Sequence, residues 1–196
     1  MGEVAERAAR VRLVALDVDG TLTDGRLFIG GDGEAMKSFS VRDGFGLTLL
    51  REAGIHVALV TARRSTIVQA RAAELHIDDV RQGVPDKAQA LRELCEQRAT
   101  PLAECAFVGD DWPDLRAMSI AGLAATVLDA PREVRERAHW VSTLPAGRGA
   151  VREFAEFVLR AKGLFDAMLA HRTGAVGRPD DAGAAGNAGS SPGDLP

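Results

Sequence analysis

The chain has 196 residues, 24 basic against 28 acidic, a formal charge of −4 and a hydrophobic share of 46%. That profile suits a soluble globular protein with one sizeable core, and its acidic balance argues against a nucleic-acid binder held by bulk charge. No run approaches the roughly 20 apolar residues that cross a bilayer, and the opening MGEVAERAARVRLVAL mixes acid with arginine, so neither a membrane span nor a signal peptide is expected.

Residues 1–10 are read as an N-terminal extension. Residues 11–16 (VRLVAL) form a short apolar run rich in β-branched side chains, the pattern of a buried strand. Residues 26–29 and 35–41 flank GGDGE, and two extended runs around a glycine-rich turn predict a β-hairpin over 26–41. Residues 44–53 have helical spacing and stop at Gly54. A strand over 55–60 (IHVALV), a helix over 65–75, a short strand reached through 76–81 and a helix over 87–98 follow. Next come strand 105–108 (CAFV), helix 113–121, strand 122–128 and helix 131–138, which has Pro131 in its first turn. Residues 140–141 make a last short strand and 149–162 a final helix. From 173 to 196, glycine, alanine and proline fill most positions. Such a stretch cannot offset ordering entropy of ~1–2 kcal/mol per residue, so it is read as a disordered tail. The folded domain is expected over 11–172.

Strands alternating with helices predict an α/β protein with a central parallel sheet, right-handed crossovers and three layers. Ligands of such sheets bind outside the carboxyl ends of the strands. Asp17 and Asp19 follow the first strand, and residues two apart in extended chain share a face. Two such carboxylates are costly unless a cation neutralises them or one is protonated. Thr61 follows the 55–60 strand, with Arg63 and Arg64 behind it. Lys87 opens a helix, and Gly109-Asp110-Asp111 follows CAFV, with Asp114 shortly after. Asp114 can equally be a helix N-cap, and Trp112 is read as a packing residue.

Phosphoryl transfer accounts for this set. Three carboxylates, Asp17, Asp19 and Asp110, suit a hard cation such as Mg²⁺, beside a carboxylate nucleophile. The Thr61 hydroxyl and Lys87 ammonium stabilise charge on the transferred group, and the second aspartate serves as acid and then base. No His/Cys cluster has zinc-ligand spacing. Cys95 and Cys105 are expected to be reduced thiols.

DVDGT, Thr61, Lys87 and GDDWPD resemble the four motifs of the haloacid dehalogenase (HAD) superfamily of phosphatases, over about residues 11–162. The resemblance implies a Rossmann-like HAD fold. In it Asp17 is the nucleophile that becomes an aspartyl-phosphate, Asp19 is the acid/base that lends a backbone carbonyl to Mg²⁺, and Asp110 is the third metal ligand. DVDGTLTDGRLFIGGDGEAMKSFSVRDGFG, TARRSTIVQARAAELHI, QGVPDKAQAL and GRGAVRE resemble, more narrowly, the 3-deoxy-D-manno-octulosonate 8-phosphate (KDO 8-phosphate) phosphatases. Their sialic-acid-pathway relatives share much of the pattern. This resemblance implies that Ser40, Val41, Arg42, Asp43, Gly44, Arg63, Arg71 and Lys87 contact a phosphorylated sugar acid, with Asp19 and Asp111 in the same substrate-binding set. The planar fork of arginine suits a substrate that also carries a carboxylate.

The hairpin and one helix use most of the interval from Asp17 to Thr61, and one helix and a short strand that from Thr61 to Lys87. Neither interval holds a domain of ~50 residues or more, so no cap domain is expected and the site is open in a monomer. The resemblance implies a homotetramer assembled through the hairpin, with Leu27, Phe28 and Phe39 as candidate interface residues. It further implies Mg²⁺-dependent hydrolysis of KDO 8-phosphate in the cytoplasm, in lipopolysaccharide precursor biosynthesis. An acylneuraminate 9-phosphate is the alternative substrate and a non-catalytic module of the same fold the alternative class. No nucleic-acid or membrane partner is expected.

Overall fold

In a computed structural model, which describes residues 2–174, strand β1 (Leu13–Leu16) is buried at all four positions. It lies between β4 (His56–Thr61) and β6 (Cys105–Val108), parallel to both. β5 (Asp79–Gln82) flanks β4, while β7 (Leu123–Thr126) and β8 (Trp140–Val141) continue beyond β6. The order is β5-β4-β1-β6-β7-β8, with every pair parallel. Central strands of a parallel sheet are covered on both faces, which is why LVAL, CAFV and LAAT carry no alternating polar residue.

The crossover helices are α2 (Val41–Glu52), α3 (Thr66–Glu74), α4 (Lys87–Gln97), α5 (Leu115–Ile120) and α6 (Arg132–Arg135), and α7 (Ala150–Ala161) follows the last strand. On one face Leu13, Ala15, Ala58, Val60 and Phe107 pack with Leu91 and Leu94 of α4 and Met118 of α5. Val14, Leu16, Val57, Leu59 and Ala106 are equally buried and by alternation take the other face. α7 packs against α2 and against a helix at the amino end. The result is the predicted three-layer α/β arrangement. The Sγ atoms of Cys95 and Cys105 face each other across 2.9 Å in this core, both as free thiols.

Three segments differ from the sequence expectation. The segment read as an extension is helix α1 (Glu3–Arg10), with Glu3 and Glu6 in its first turn and Arg7 and Arg10 in its last, the charge order that the helix dipole favours. Arg7 donates to the Gly122 carbonyl at 2.8 Å and Lys162 to that of Ala9 at 2.9 Å. The second strand of the hairpin, expected to reach residue 41, ends at Met36, and α2 starts at Val41. Ser40 is its N-cap, accepting the Asp43 N–H at 3.3 Å. A further helix, α8 (Phe165–Thr173), lies where the reading placed no helix. The remainder of the predicted tail, from residue 175, lies outside the described residues.

The hairpin is a separate antiparallel pair, β2 (Phe28–Gly30) and β3 (Gly33–Met36). Leu27, Phe28, Ile29 and Met36 are exposed. Phe39 is half-buried, with the Arg71 guanidinium 5.8 Å from its ring centre, and so is not the exposed residue expected. Between β1 and β4 stand only this hairpin and α2; no cap domain is inserted among the described residues. No described helix is long and apolar enough to cross a membrane.

Candidate active site

Asp17 continues β1 toward β6, its N–H donating to the Val108 carbonyl at 2.9 Å. Beyond it the N–H groups of Leu22 and Thr23 both reach the Val18 carbonyl at 3.0 Å, which folds the loop back tightly. Gly20 sits in that loop at φ +97°, a region that favours glycine. A Cβ there would stand 2.2 Å from Asp110 Oδ2, so the loops after β1 and β6 touch backbone to side chain. The Thr21 hydroxyl donates to Asp110 Oδ1 at 3.1 Å.

Lys87, at the first position of α4, is buried and bridges two carboxylates. Its Nζ lies 2.5 Å from Asp17 Oδ1 and 2.6 Å from Asp114 Oδ1. The other Asp114 oxygen accepts the N–H groups of Asp110 at 3.0 Å and Asp111 at 3.2 Å. Asp114 is therefore an organiser of the site, with no side-chain bond capping α5.

Asp17, Asp110 and Asp114 each place an oxygen within 4.8 Å of the others. Burial, followed by the negative charge of Asp114, pushes Asp17 up to about 6 despite Lys87. Burial and then the charges of Asp17 and Asp114 push Asp110 up to about 8. Burial works against the Lys87 ammonium, but Asp17 and Asp114 outweigh it and hold its pKa above the ordinary value. One ammonium among two buried carboxylates and a half-buried one leaves surplus negative charge. An all-oxygen donor set with that surplus fits a hard divalent cation such as Mg²⁺. Because both Asp114 oxygens are committed, Asp17 and Asp110 are the side chains left to hold it.

The Asp19 carboxylate stands outside this cluster. It is bonded through Oδ1 to Lys37 Nζ, which also pairs with Glu34 Oε1 at 2.8 Å. The Ser65 hydroxyl donates to Glu34 Oε2. Burial would lower the Lys37 pKa, yet its bonds to Asp19 and Glu34 raise it. Thr21, Glu34 and Lys37 fall inside the motif segments of the sequence, but nothing there gives any of them a task, because Asp110, Ser65 and Asp19 reach them only in the folded chain.

Thr61 ends β4 and is buried; its Oγ1 accepts the Arg63 N–H at 3.2 Å. The Arg63 side chain is partly exposed, 3.9 Å from Glu34. Arg71 lies against the first turn of α2. Its Nη2 donates to the Ser40 carbonyl at 3.4 Å and occupies the space where a Gly44 Cβ would be. Val41 and Arg42 are exposed, Arg42 in a surface cleft with Arg152 and Glu156. Asp43 is turned away: its carboxylate accepts the N–H groups of Gly149 at 3.0 Å and Arg152 at 2.8 Å, at the start of α7. Asp111 is exposed and caps the short 3-10 turn Trp112–Asp114. Trp112 is 64% exposed, not packed as expected, because that turn carries it out into solvent.

Residues 35–122 match the haloacid dehalogenase-like hydrolase family. The 3-deoxy-D-manno-octulosonate 8-phosphate phosphatase KdsC of Yersinia pestis is 39% identical over 160 residues, covering 82% of this chain and 86% of that protein. The chain belongs to the KDO 8-phosphate phosphatase family of HAD-like hydrolases. The Escherichia coli K12 member is 40% identical over 84% of this chain and 87% of its own length. A solved family member from Moraxella catarrhalis, in complex with magnesium, phosphate and KDO, has 40% identity and a TM-score of 0.85, covering 88% of this chain and 99% of that one. The cobalt-bound phosphatase of Haemophilus influenzae, also of this family, has 37% identity and a TM-score of 0.81, over 82% of this chain and 94% of its own.

Proposed function

We propose that this chain hydrolyses KDO 8-phosphate to KDO and phosphate through an aspartyl-phosphate on Asp17. The observation that carries the reading is the buried Asp17–Lys87–Asp114 array beside Asp110, in a chain 39–40% identical to the KdsC proteins of Yersinia pestis and Escherichia coli K12. Asp17 and Asp110, with the Asp19 backbone carbonyl, would hold Mg²⁺, which supplies the positive charge that lets an anionic phosphate approach two carboxylates.

The Asp17 carboxylate attacks phosphorus, and the bond to the sugar oxygen breaks with its electrons on that oxygen. Asp19 gives its proton to the departing oxygen. Asp19 then takes a proton from the water that attacks the aspartyl-phosphate, which releases phosphate and restores Asp17. Lys87 donates to the phosphoryl oxygens, as does Thr61, whose Oγ1 accepts from Arg63 and so keeps its own proton to give. Arg63 offers a guanidinium fork to the sugar-acid carboxylate, and Arg71, held in this structure by the Ser40 carbonyl and Glu74, joins it by exchanging those partners, beside Ser40, Val41, Arg42 and Gly44. Asp111 stays in the substrate-binding set as a reading supported by its exposure at the site's rim. Asp43 acts through α7.

The same reading takes residues 11–172 as the catalytic domain, and a homotetramer through the hairpin, supported by exposed Leu27, Phe28, Ile29 and Met36. It places the enzyme in the cytoplasm, a reading supported by two buried free thiols, and in supply of KDO for lipopolysaccharide precursors. Mg²⁺-dependent phosphate release from purified KDO 8-phosphate tests it, with Asp17→Asn expected to abolish turnover. Full activity of that variant sinks the mechanism, and a faster rate on an acylneuraminate 9-phosphate reassigns the substrate.

A further inference from the structure

The hairpin holds a buried cation that the reaction scheme leaves without a task. The Lys37 side chain has no solvent exposure, although it ends in an ammonium. It is clamped between Asp19 Oδ1 and Glu34 Oε1, and Glu34 is fixed in turn by the hydroxyl of Ser65, the N-cap of α3. Three segments distant in sequence, the loop after β1, strand β3 with the residue after it, and the start of α3, thus meet around one ammonium. The second Asp19 oxygen, Oδ2, is buried and has no hydrogen-bond partner among the described residues. Lys37 therefore ties down one Asp19 oxygen and leaves the other, Oδ2, without a protein partner.

We propose that Lys37, braced by Glu34 and Ser65, is a positioning residue that orients Asp19 so that Oδ2 delivers the proton to the leaving oxygen. This rests on the phosphatase reading above and adds a second duty to the hairpin. An isolated ammonium buried between two carboxylates is costly unless its geometry is good. Such a group is a poor choice for stability alone.

The scheme can be tested through the leaving group. A sugar alkoxide leaves only with a proton, whereas p-nitrophenolate leaves without one. General acid catalysis is worth about 10²–10⁴-fold. In Lys37→Met, kcat on KDO 8-phosphate is expected to fall at least about tenfold more than kcat on p-nitrophenyl phosphate, with KM little changed, a conservative fraction of that range. Lys37→Arg, which keeps the charge, should recover part of the difference, and Glu34→Gln should show a smaller loss of the same kind. Because the ratio of the two rates is taken on one sample, partial misfolding of a variant cancels. Equal losses on the two phosphates, or no loss in Lys37→Met, overturn the proposal. Failure of the unmutated protein to hydrolyse either phosphate would instead overturn the phosphatase reading.

Discussion

Asp114 ties the site together: one of its oxygens meets Lys87 at 2.6 Å and the other takes the N–H groups of Asp110 and Asp111. An amide in its place can satisfy only one of these sides. Asp114→Asn is therefore expected to raise the Mg²⁺ concentration needed for half-maximal activity by about 10–100-fold, as loss of an orienting partner does at other metal sites. The raised carboxyls Asp17, at about 6, and Asp110, at about 8, make a second prediction. A carboxyl whose folded pKa is raised gives the metal-free fold stability at low pH, and that stability is lost as pH rises through the folded value. Mg²⁺ competes with those protons. The gain in Tm from added Mg²⁺ should thus be larger at pH 9 than at pH 6, and the opposite order would refute the assignment. Asp17, Thr61, Lys87 and Asp110 were legible because each stands at the end of an apolar strand or opens the helix that follows. Lys37, Glu34 and Thr21 were not, because their roles come from partners that only the tertiary fold supplies.

At the scale of elements, Asp43 shows a site-like residue doing structural work. Its carboxylate joins the first turn of α2 to the first turn of α7, across Gly149 and Arg152. Asp43→Ala should lower unfolding stability by about 1–2 kcal/mol, the cost of a good helix cap, read as a lower urea midpoint. The strand and helix sequence of the sheet was legible from apolar runs and glycine stops. The start of α2 was misjudged because residues 35–41 read as extended, although Ser40 and Asp43 already carried a capping pattern. α1 went unread because eight residues are too few to hold a helix alone; its packing on α7 and β7 holds it.

For the whole molecule, the absence of any inserted cap was legible from the spacing of Asp17, Thr61 and Lys87. The task of the exposed hairpin was not, since apolar exposure alone names no partner. Phe28 is 40% and Ile29 63% exposed on the same short strand. If the hairpin joins subunits as proposed, Phe28→Asp with Ile29→Asp, which places a charge on each of its faces, should convert the proposed tetramer to smaller species in sedimentation velocity, with far-UV circular dichroism unchanged. An unaltered sedimentation coefficient would remove the hairpin from the interface. The position of β1 reaches further. Leu13 pairs with His56 on one side and Cys105 on the other, so the central strand is completed by segments from well along the chain. Such non-local pairing is slow, because loop closure must precede its reward. Asp17 thus acquires its neighbours only when the sheet is whole, and recovered turnover in a refolding chain reports the last step of assembly, not the first.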